Sequence, residues 1–437
     1  MRFSNYILRV ETSRSRVLLV GLRTRSAIEL DKSILTYIDK YLGDQLDLPP
    51  PSIEELLLEL KRCKIIVDSN EDELEKIVTS SLASRFLNDT FAAIIVPTIG
   101  CNLRCSYCFQ PHMHHAKDVG SDNSEDVVTF IKSKLTNNNF NNLHVRWFGG
   151  EPLQAIHKIE NISSQLIREC EEMEINYSAD IVTNGTLLNQ DIIEKLVNCK
   201  VEDVQITFDG GRIEHNKKRR GPDFRNSYDL ILKNLVLVTK YMRANVRVHV
   251  APYNIDTIPY LLEDMVALGL ESKIDKLYFA PLFNYKQSQK EIAFFPNERL
   301  FLSSSDFAIH QVELHRLALK HGFSLPDPLE SDYGVCTALR ENTVVIDHNG
   351  RTSKCYMDVG DNSESFGDLT GAIDQPENLD KWRTATFSND AECRKCTFAP
   401  VCLGACTKQR IAAEDKSSVC TPLKFNYESL LPIHYKS

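Results

Sequence analysis

The sequence predicts an α/β protein built on an open parallel sheet, a partial (β/α)6 TIM barrel, with a small module before it and a cysteine-rich region after it. Three observations predict this. Strand-like and helix-like stretches alternate over 91–283, with strands at 91–97, 144–149, 178–183, 202–208, 245–251 and 275–281 and amphipathic helices such as 191–199 and 228–242 between them. Six β-then-α units imply parallel strands with right-handed crossovers, fewer than the eight of a closed barrel. Cysteine, glycine and short polar motifs fall at the ends of those strands, where such folds carry their active groups.

At 437 residues the chain exceeds one ordinary domain, and its 42% apolar content supports a large core. A net charge of −9 disfavours a general nucleic-acid-binding surface. Residues 1–10 lack the apolar centre of a secretion signal, and no run of about 18 apolar residues occurs. No membrane association is expected, and the chain reads as cytoplasmic. Its 13 cysteines then point to metal rather than to disulfides.

Residues 1–85 read as a separate module. Tyr6-Ile7-Leu8-Arg9-Val10 and Arg16-Val17-Leu18-Leu19-Val20 suggest a two-stranded hairpin. Asp31 opens a helix with Ile34, Leu35, Ile38, Tyr41 and Leu42 on one face. After Pro49-Pro50-Pro51, Ser52 with Glu55 makes a capping box for a helix carrying Leu56, Leu57 and Leu60. A short strand, Ile65-Ile66-Val67, and an acidic helix from about Asp72 complete the module. The barrel then spans 86–300 and a bridging helical region 301–335, with a long helix over 305–321. A cysteine-rich domain takes 336–425 and a C-terminal tail 426–437.

The stretch that organises the chain is Cys101-Asn102-Leu103-Arg104-Cys105-Ser106-Tyr107-Cys108-Phe109, delivered by the apolar run Phe91-Ala92-Ala93-Ile94-Ile95-Val96. Three thiolates fill three corners of a [4Fe–4S] cluster and leave one iron open. A structural zinc site closed by His112, His114 or His115 is the competing reading. At the second strand end stand Gly149, Gly150 and Glu151, a glycine pair that lets backbone approach a ligand closely. Thr183-Asn184-Gly185 and Thr207-Phe208-Asp209-Gly210 follow at later strand ends. Their short polar groups suit ribose hydroxyls and a carboxylate, or ordinary Asn-Gly and Asp-Gly turns.

The run Lys217-Lys218-Arg219-Arg220 reads as solvent-facing, with Arg219 or Arg220 within reach of a carboxylate or an acidic peptide. Cys336 and Cys355 bracket Gly350, and Cys393, Cys396, Cys402, Cys406 and Cys420 close the set, with a zinc ribbon over the middle four as the alternative. Cys63, Cys170 and Cys199 lie in helical patterns and read as buried small hydrophobes.

The spacing of Cys101, Cys105 and Cys108, with an aromatic before the last, resembles the radical S-adenosylmethionine (radical SAM) superfamily, in which SAM occupies the open iron. The resemblance implies that Gly149, Gly150 and Glu151 hold the amino group of SAM, and that Thr183, Asn184, Thr207 and Asp209 are further SAM contacts. The seven cysteines from Cys336 onward resemble the SPASM domain of radical maturases, so the likeness covers 91 to about 425. It implies three [4Fe–4S] clusters. Cys393, Cys396, Cys402 and Cys420 would bind the outer auxiliary cluster, and Cys406 would join Cys336 and Cys355 on the inner one. An open iron remains there, for which Glu330 and Asp332 are candidate ligands.

In such enzymes a 5′-deoxyadenosyl radical from SAM abstracts hydrogen from substrate, and the auxiliary clusters accept the remaining electron. The 1–85 module is similar to the winged-helix element that grips leader peptides in peptide-modifying radical enzymes, with a small structural cap on the barrel as the alternative. The implied partners are a precursor peptide with its leader, a reductant such as flavodoxin or ferredoxin, and a small helper protein. Sulfatase maturases place a catalytic Asp directly after the second SPASM cysteine; here Tyr356 stands there and Asp358 follows, making these the candidate catalytic residues. The expected function is oxidative maturation of a ribosomally made (RiPP) precursor peptide, giving a thioether, carbon–carbon or ether crosslink or another backbone modification. Backbone excision or epimerisation, sulfatase-type protein oxidation and small-molecule dehydrogenation are the alternatives.

Overall fold

A computed structural model describes residues 1–43, 49–86, 89–110, 122–222, 225–282, 301–330, 336–413 and 416–435. His112, His114, His115 and Asp332 lie outside the described residues, and Glu330 is exposed.

The N-terminal module contains β1 (Arg2–Phe3), β2 (Ile7–Glu11), β3 (Arg16–Gly21), β4 (Ser26–Asp31), α1 (Lys32–Leu42), α2 (Pro51–Arg62), β5 (Ile66–Val67) and α3 (Glu73–Ala83). The expected hairpin is a three-stranded antiparallel sheet, because β4 pairs with β3 along its whole length, from Ser26 against Gly21 to Asp31 against Arg16. The Ser52–Glu55 capping box does not form. Helix α2 starts two residues earlier than that cap implies, at Pro51, whose preset φ suits a first helical position, and Ser52 falls inside the helix. Cys63 closes α2, half-buried against the module core.

Strand β3 is buried on both sides. Val17 and Leu19 meet Ile38, Leu57 and Leu60 of the module helices, whereas Leu18 and Val20 join a cluster with Phe398, Val401, Leu430 and Leu431. The module therefore shares a core with the C-terminal region.

The barrel runs β6 (Thr90–Ile95), α4 (Ser124–Thr136), β7 (Asn142–Trp147), α5 (Ile156–Glu172), β8 (Asn176–Thr183), α6 (Gln190–Asn198), β9 (Val201–Phe208), α7 (Arg212–Lys218), α8 (Ser227–Val238), β10 (Arg243–Val250), α9 (Ile258–Ala267) and β11 (Lys276–Pro281). β6 to β11 lie side by side in chain order, all parallel. Side chains alternate across the sheet. Leu143, Val145 and Trp147 of β7 and Val246, Val248 and Val250 of β10 are buried in the apolar core with residues of the helices. His144, Arg146, Arg247 and His249 take the other, inner face.

That inner face is polar. Arg146 grips Asp180 with two bonds of 2.8 and 2.7 Å, His144 bonds Ser178 and Asp180, and the Tyr278 hydroxyl donates to Gln205 at 2.6 Å.

After α10 (Ser304–Lys320) the chain adds β12 (Thr343–Ile346) to the free edge of β6 as a seventh parallel strand, which the six-unit reading did not include. β13 (Arg351–Ser353) and β14 (Gly367–Asp368) extend the sheet antiparallel. Short helices follow: α11 (Pro376–Thr384), α12 (Ala391–Lys395), α13 (Ala399–Cys402) and α14 (Thr407–Ala412). Helix α15 (Leu423–Tyr435) crosses the boundary expected at 426 and packs on α10, where the Asn426 amide donates to Ala308 O at 2.9 Å. The tail is thus a packed helix. Among the described residues no helix is long and apolar enough to cross a membrane.

Candidate active site

The loop after β6 carries Cys101, Cys105 and Cys108 at the C-terminal rim of the sheet. It is delivered between two neighbours, since Val96 N–H bonds Ile346 O of β12 and Phe148 N–H bonds Ile95 O. The loop after β7 lies directly on it. Gly150 N–H donates to Thr98 O at 3.2 Å and Glu151 N–H to Gly100 O at 2.8 Å. A methyl at Gly150 would run into the carbonyl oxygens of Ile99 and Gly100, and Gly149 has a φ of +144°. The glycine pair is needed because two backbones touch here. Gly150→Ala is expected to displace the cysteine loop and cut iron uptake by about one four-iron cluster, read as iron per chain after anaerobic reconstitution. Full uptake would mean that the loop tolerates the methyl.

Glu151 is fully buried, its carboxylate accepting from Leu153 N–H (3.1 Å), Thr183 Oγ1–H (2.7 Å) and Asn184 N–H (2.7 Å). Burial pushes its carboxyl up to about 6, against these three donors. The Asn184 amide donates to Asn102 Oδ1 at 2.8 Å and lies 3.9 Å from Cys101 Sγ, and Asn102 in turn donates to Thr186. Gly149, Gly150, Glu151, Thr183 and Asn184 thus gather round Cys101. Thr207 and Asp209 lie at the end of β9, both buried.

Asp209 is the centre of a buried network. Tyr107 of the cysteine loop donates to its Oδ2 at 2.5 Å, Arg219 Nε lies 3.2 Å from the same oxygen, and His249 Nδ1 lies 3.0 Å from Oδ1. Arg219 also bonds the Tyr107 hydroxyl at 2.9 Å. Burial pushes the Asp209 carboxyl up, but Arg219 and His249 outweigh it and hold it well below the usual carboxylate range.

The basic run therefore does not face solvent as a unit. Lys217 and Arg220 do, whereas Lys218 and Arg219 are buried. The run turns inward at the end of α7 because Asp209 would otherwise be a buried charge without a partner. Its backbone also holds the cysteine loop, through Arg104 N–H to Arg220 O at 2.7 Å. Asn102, Tyr107, Thr186 and His249 were missed by sequence reasoning, which put Arg219 or Arg220 in reach of a carboxylate but did not identify Asp209 as that carboxylate. His249 carried a signal, the period-two spacing with Arg247 on one strand face.

The C-terminal cysteines fall into two groups. The Cys355 thiol, pushed well up by burial, also feels Cys336 and Cys406. Cys393 feels Cys402 and Cys396, and Cys402 feels Cys420. Among the described residues no three His, Cys, Asp or Glu side chains are gathered tightly enough for a single metal ion.

The donor set fits thiolate ligation. Backbone amides oppose the effect of burial at Cys101 (Leu103), Cys108 (Gln110), Cys336 (Ala338 and Leu339), Cys355 (Met357), Cys402 (Thr421 and Gly404) and Cys406 (Gln409 and Lys408). N–H groups aimed at sulfur are what iron–sulfur thiolates use. Cys170 and Cys199 instead lie in the apolar core of the barrel.

Tyr356 sits where the two regions meet. Its ring lies 5.0 Å from that of Phe148, next to the glycine pair, and burial pushes its hydroxyl up to about 12 against the pull of Arg247. Asp358 is committed elsewhere, 2.5 Å from Lys408, which also reaches Glu364 at 3.2 Å. Burial raises its carboxyl to about 6 despite Lys408.

Residues 95–271 match the Radical SAM superfamily model. The radical SAM cyclopropyl synthase TigE of Paramaledivibacter caminithermalis is 23% identical over 331 residues, 70% of this chain and 65% of that protein, so the chain spans just under two thirds of the relative. A cysteine-type anaerobic sulfatase-maturating enzyme of Clostridium novyi is 21% identical over 348 residues, 71% of this chain and 86% of that protein. The crystal structure of Streptococcus suis SuiB bound to precursor peptide SuiA covers 96% of this chain and 99% of that one, with a TM-score of 0.53 at 18% identity. That likeness is one of fold.

Proposed function

We propose that the chain is a radical SAM enzyme of the SPASM type and that it oxidatively matures a ribosomally made precursor peptide, installing a crosslink or a related backbone change. One observation carries the reading. The two thiol groups, Cys101/Cys105/Cys108 and Cys336/Cys355/Cys406, are neighbours: Tyr356, next to Cys355, packs on Phe148 of the glycine loop, and Phe109, next to Cys108, packs on the cluster that holds Cys336 and Cys355. A [4Fe–4S] cluster with SAM on its open iron supplies a 5′-deoxyadenosyl radical by reductive cleavage.

The chain's own residues do the rest. Gly149, Gly150, Glu151, Thr183, Asn184, Thr207 and Asp209 would position SAM beside the cysteine loop. Cys336, Cys355 and Cys406, with Cys393, Cys396, Cys402 and Cys420 behind them, would hold electron acceptors. Arg146, Asp180, Gln205, Arg247 and Tyr278 would orient the peptide on the inner face. The open edge of β4 would take the leader as an added strand. SuiB, solved with its precursor peptide bound, supports peptide as the substrate class.

Deleting residues 1–85 would not test the leader's role, because it strips Leu18 and Val20 from the core shared with Phe398 and Leu430. The test is co-expression with short peptides encoded beside the gene, each with and without its N-terminal half. The expected result is loss of two hydrogens from one full-length peptide, with a crosslink in its fragmentation spectrum, and no loss from the shortened form. Equal turnover of the shortened form would remove the leader, and oxidation of a sulfatase-derived cysteine peptide alone would move the chain to protein oxidation.

A further inference from the structure

We propose that His249 is the proton acceptor of the oxidative step, an inference that rests on the reading above. An oxidative crosslink removes two hydrogens from the peptide. One leaves as an atom to the deoxyadenosyl radical, giving 5′-deoxyadenosine. The other leaves as a proton from the attacking group as the new bond forms. The electron left over passes to an iron–sulfur acceptor of the kind that Cys336, Cys355 and Cys406 would hold. That proton needs an acceptor, which a base on the inner face would supply.

The acidic and histidine side chains of the barrel and its surroundings point to one. Asp180 is held by Arg146 and His144, and burial is outweighed there so that its carboxyl falls to about 2. Glu151 is enclosed by three donors, and Asp358 is paired with Lys408. His144 has both ring nitrogens bonded and lies nearer the start of its strand. His215 is fully buried between Phe208 and Tyr228. His315 bonds His434 on the far side, between α10 and α15.

His249 differs on each count. It lies one residue before the end of β10, at the rim where barrel chemistry is done. Its ring stands edge-on to Tyr107 of the cysteine loop, 5.5 Å between centroids, and its side chain is 14% exposed. Its Nδ1 faces Asp209, and no described residue bonds its Nε2.

The network also fixes the tautomer. Arg219 keeps Asp209 ionised, so Asp209 accepts a hydrogen bond and Nδ1 must carry the proton. The Nε2 lone pair is left free. Burial and the cations Arg247 and Arg219 hold the ring neutral, with its pKa at about 4, while Asp209 stands ready to steady the imidazolium. A weak base suffices, because the proton becomes strongly acidic as the electron departs.

The experiment is His249→Gln with the peptide that the wild-type chain oxidises on co-expression. Glutamine can keep a hydrogen bond to Asp209 but cannot take the proton. The expected result is continued 5′-deoxyadenosine release with the yield of oxidised peptide per 5′-deoxyadenosine down ~10²-fold, the scale of a lost general base. An unchanged ratio, or a parallel fall of both products, overturns the proposal and leaves His249 a support for Asp209.

A second measurement needs no peptide. Diethyl pyrocarbonate acylates open, neutral imidazoles, so at neutral pH the SAM-free reconstituted chain should be modified at His249 and spared at His215. An unmodified His249 sinks the proposal. A wild-type chain that oxidises no peptide would instead overturn the functional reading, whatever the acylation shows.

Discussion

Replacing Cys101, Cys105 and Cys108 together by Ala is expected to lower the iron of the anaerobically reconstituted chain from about twelve to about eight per molecule, and to abolish reductant-dependent SAM cleavage. The variant should fold, because the loop is not held by its thiols. Asn102 is fixed between Thr186 and Asn184, Tyr107 is tied to Asp209 and Arg219, and Arg104 N–H bonds Arg220 O. The other seven motif cysteines lie in separate segments beyond β11, and Cys336, Cys355, Cys402 and Cys406 keep their own amide donors. Iron that starts near four and does not change, or zinc held tightly in its place, would return the loop to a structural role. Normal iron loss with SAM cleavage intact would place the radical chemistry at another cluster.

The parallel barrel was legible because its signals are local. Alternation along Asn142–Trp147 and Arg243–Val250 follows the pleat, and the intervening helices repeat at their own period. Strand β12 was not legible. Thr343-Val344-Val345-Ile346 is a four-residue run amid cysteine loops, and its partner β6 is some 250 positions away, a pairing that no local pattern encodes. β4 was missed for a related reason, since Ser26-Ala27-Ile28-Glu29-Leu30-Asp31 alternates only weakly and gains its place from β3.

Cysteine spacing gave the thiol groups, because close-set ligands on one loop are a local property as well. What the sequence hid was which polar groups serve the protein itself. Glu151 and Asn184 stand at the strand ends where ligand contacts are expected, and their hydrogen bonds also tie these loops to each other and to the cysteine loop. In Lys217-Lys218-Arg219-Arg220 a charge run suggests one solvated face, but a chain leaving a helix turns successive side chains to different sides. One of the four met Asp209.

That residue gives the second large effect. Arg219→Ala is expected to destabilise the chain by about 3–5 kcal/mol, the cost of leaving a buried charge without its partner. The pair qualifies because the Arg219 side chain is 9% exposed and that of Asp209 is not exposed at all. His249 can compensate only in part, since burial and Arg247 still oppose its protonation once Arg219 is gone. The Tyr107 hydroxyl loses one of its two partners as well, so the cysteine loop should loosen with the fold. Urea unfolding of the variant beside Arg220→Ala, an exposed neighbour, measures the effect, and equal stability of the two would remove the buried-pair account. Adding Asp209→Asn should recover part of the loss, because the double variant buries no lone charge, and the two changes should therefore be far from additive. If Arg219→Ala instead unfolds like wild type but binds SAM poorly, the guanidinium serves the SAM carboxylate. Asp209 would then be holding Arg219 in place for the ligand.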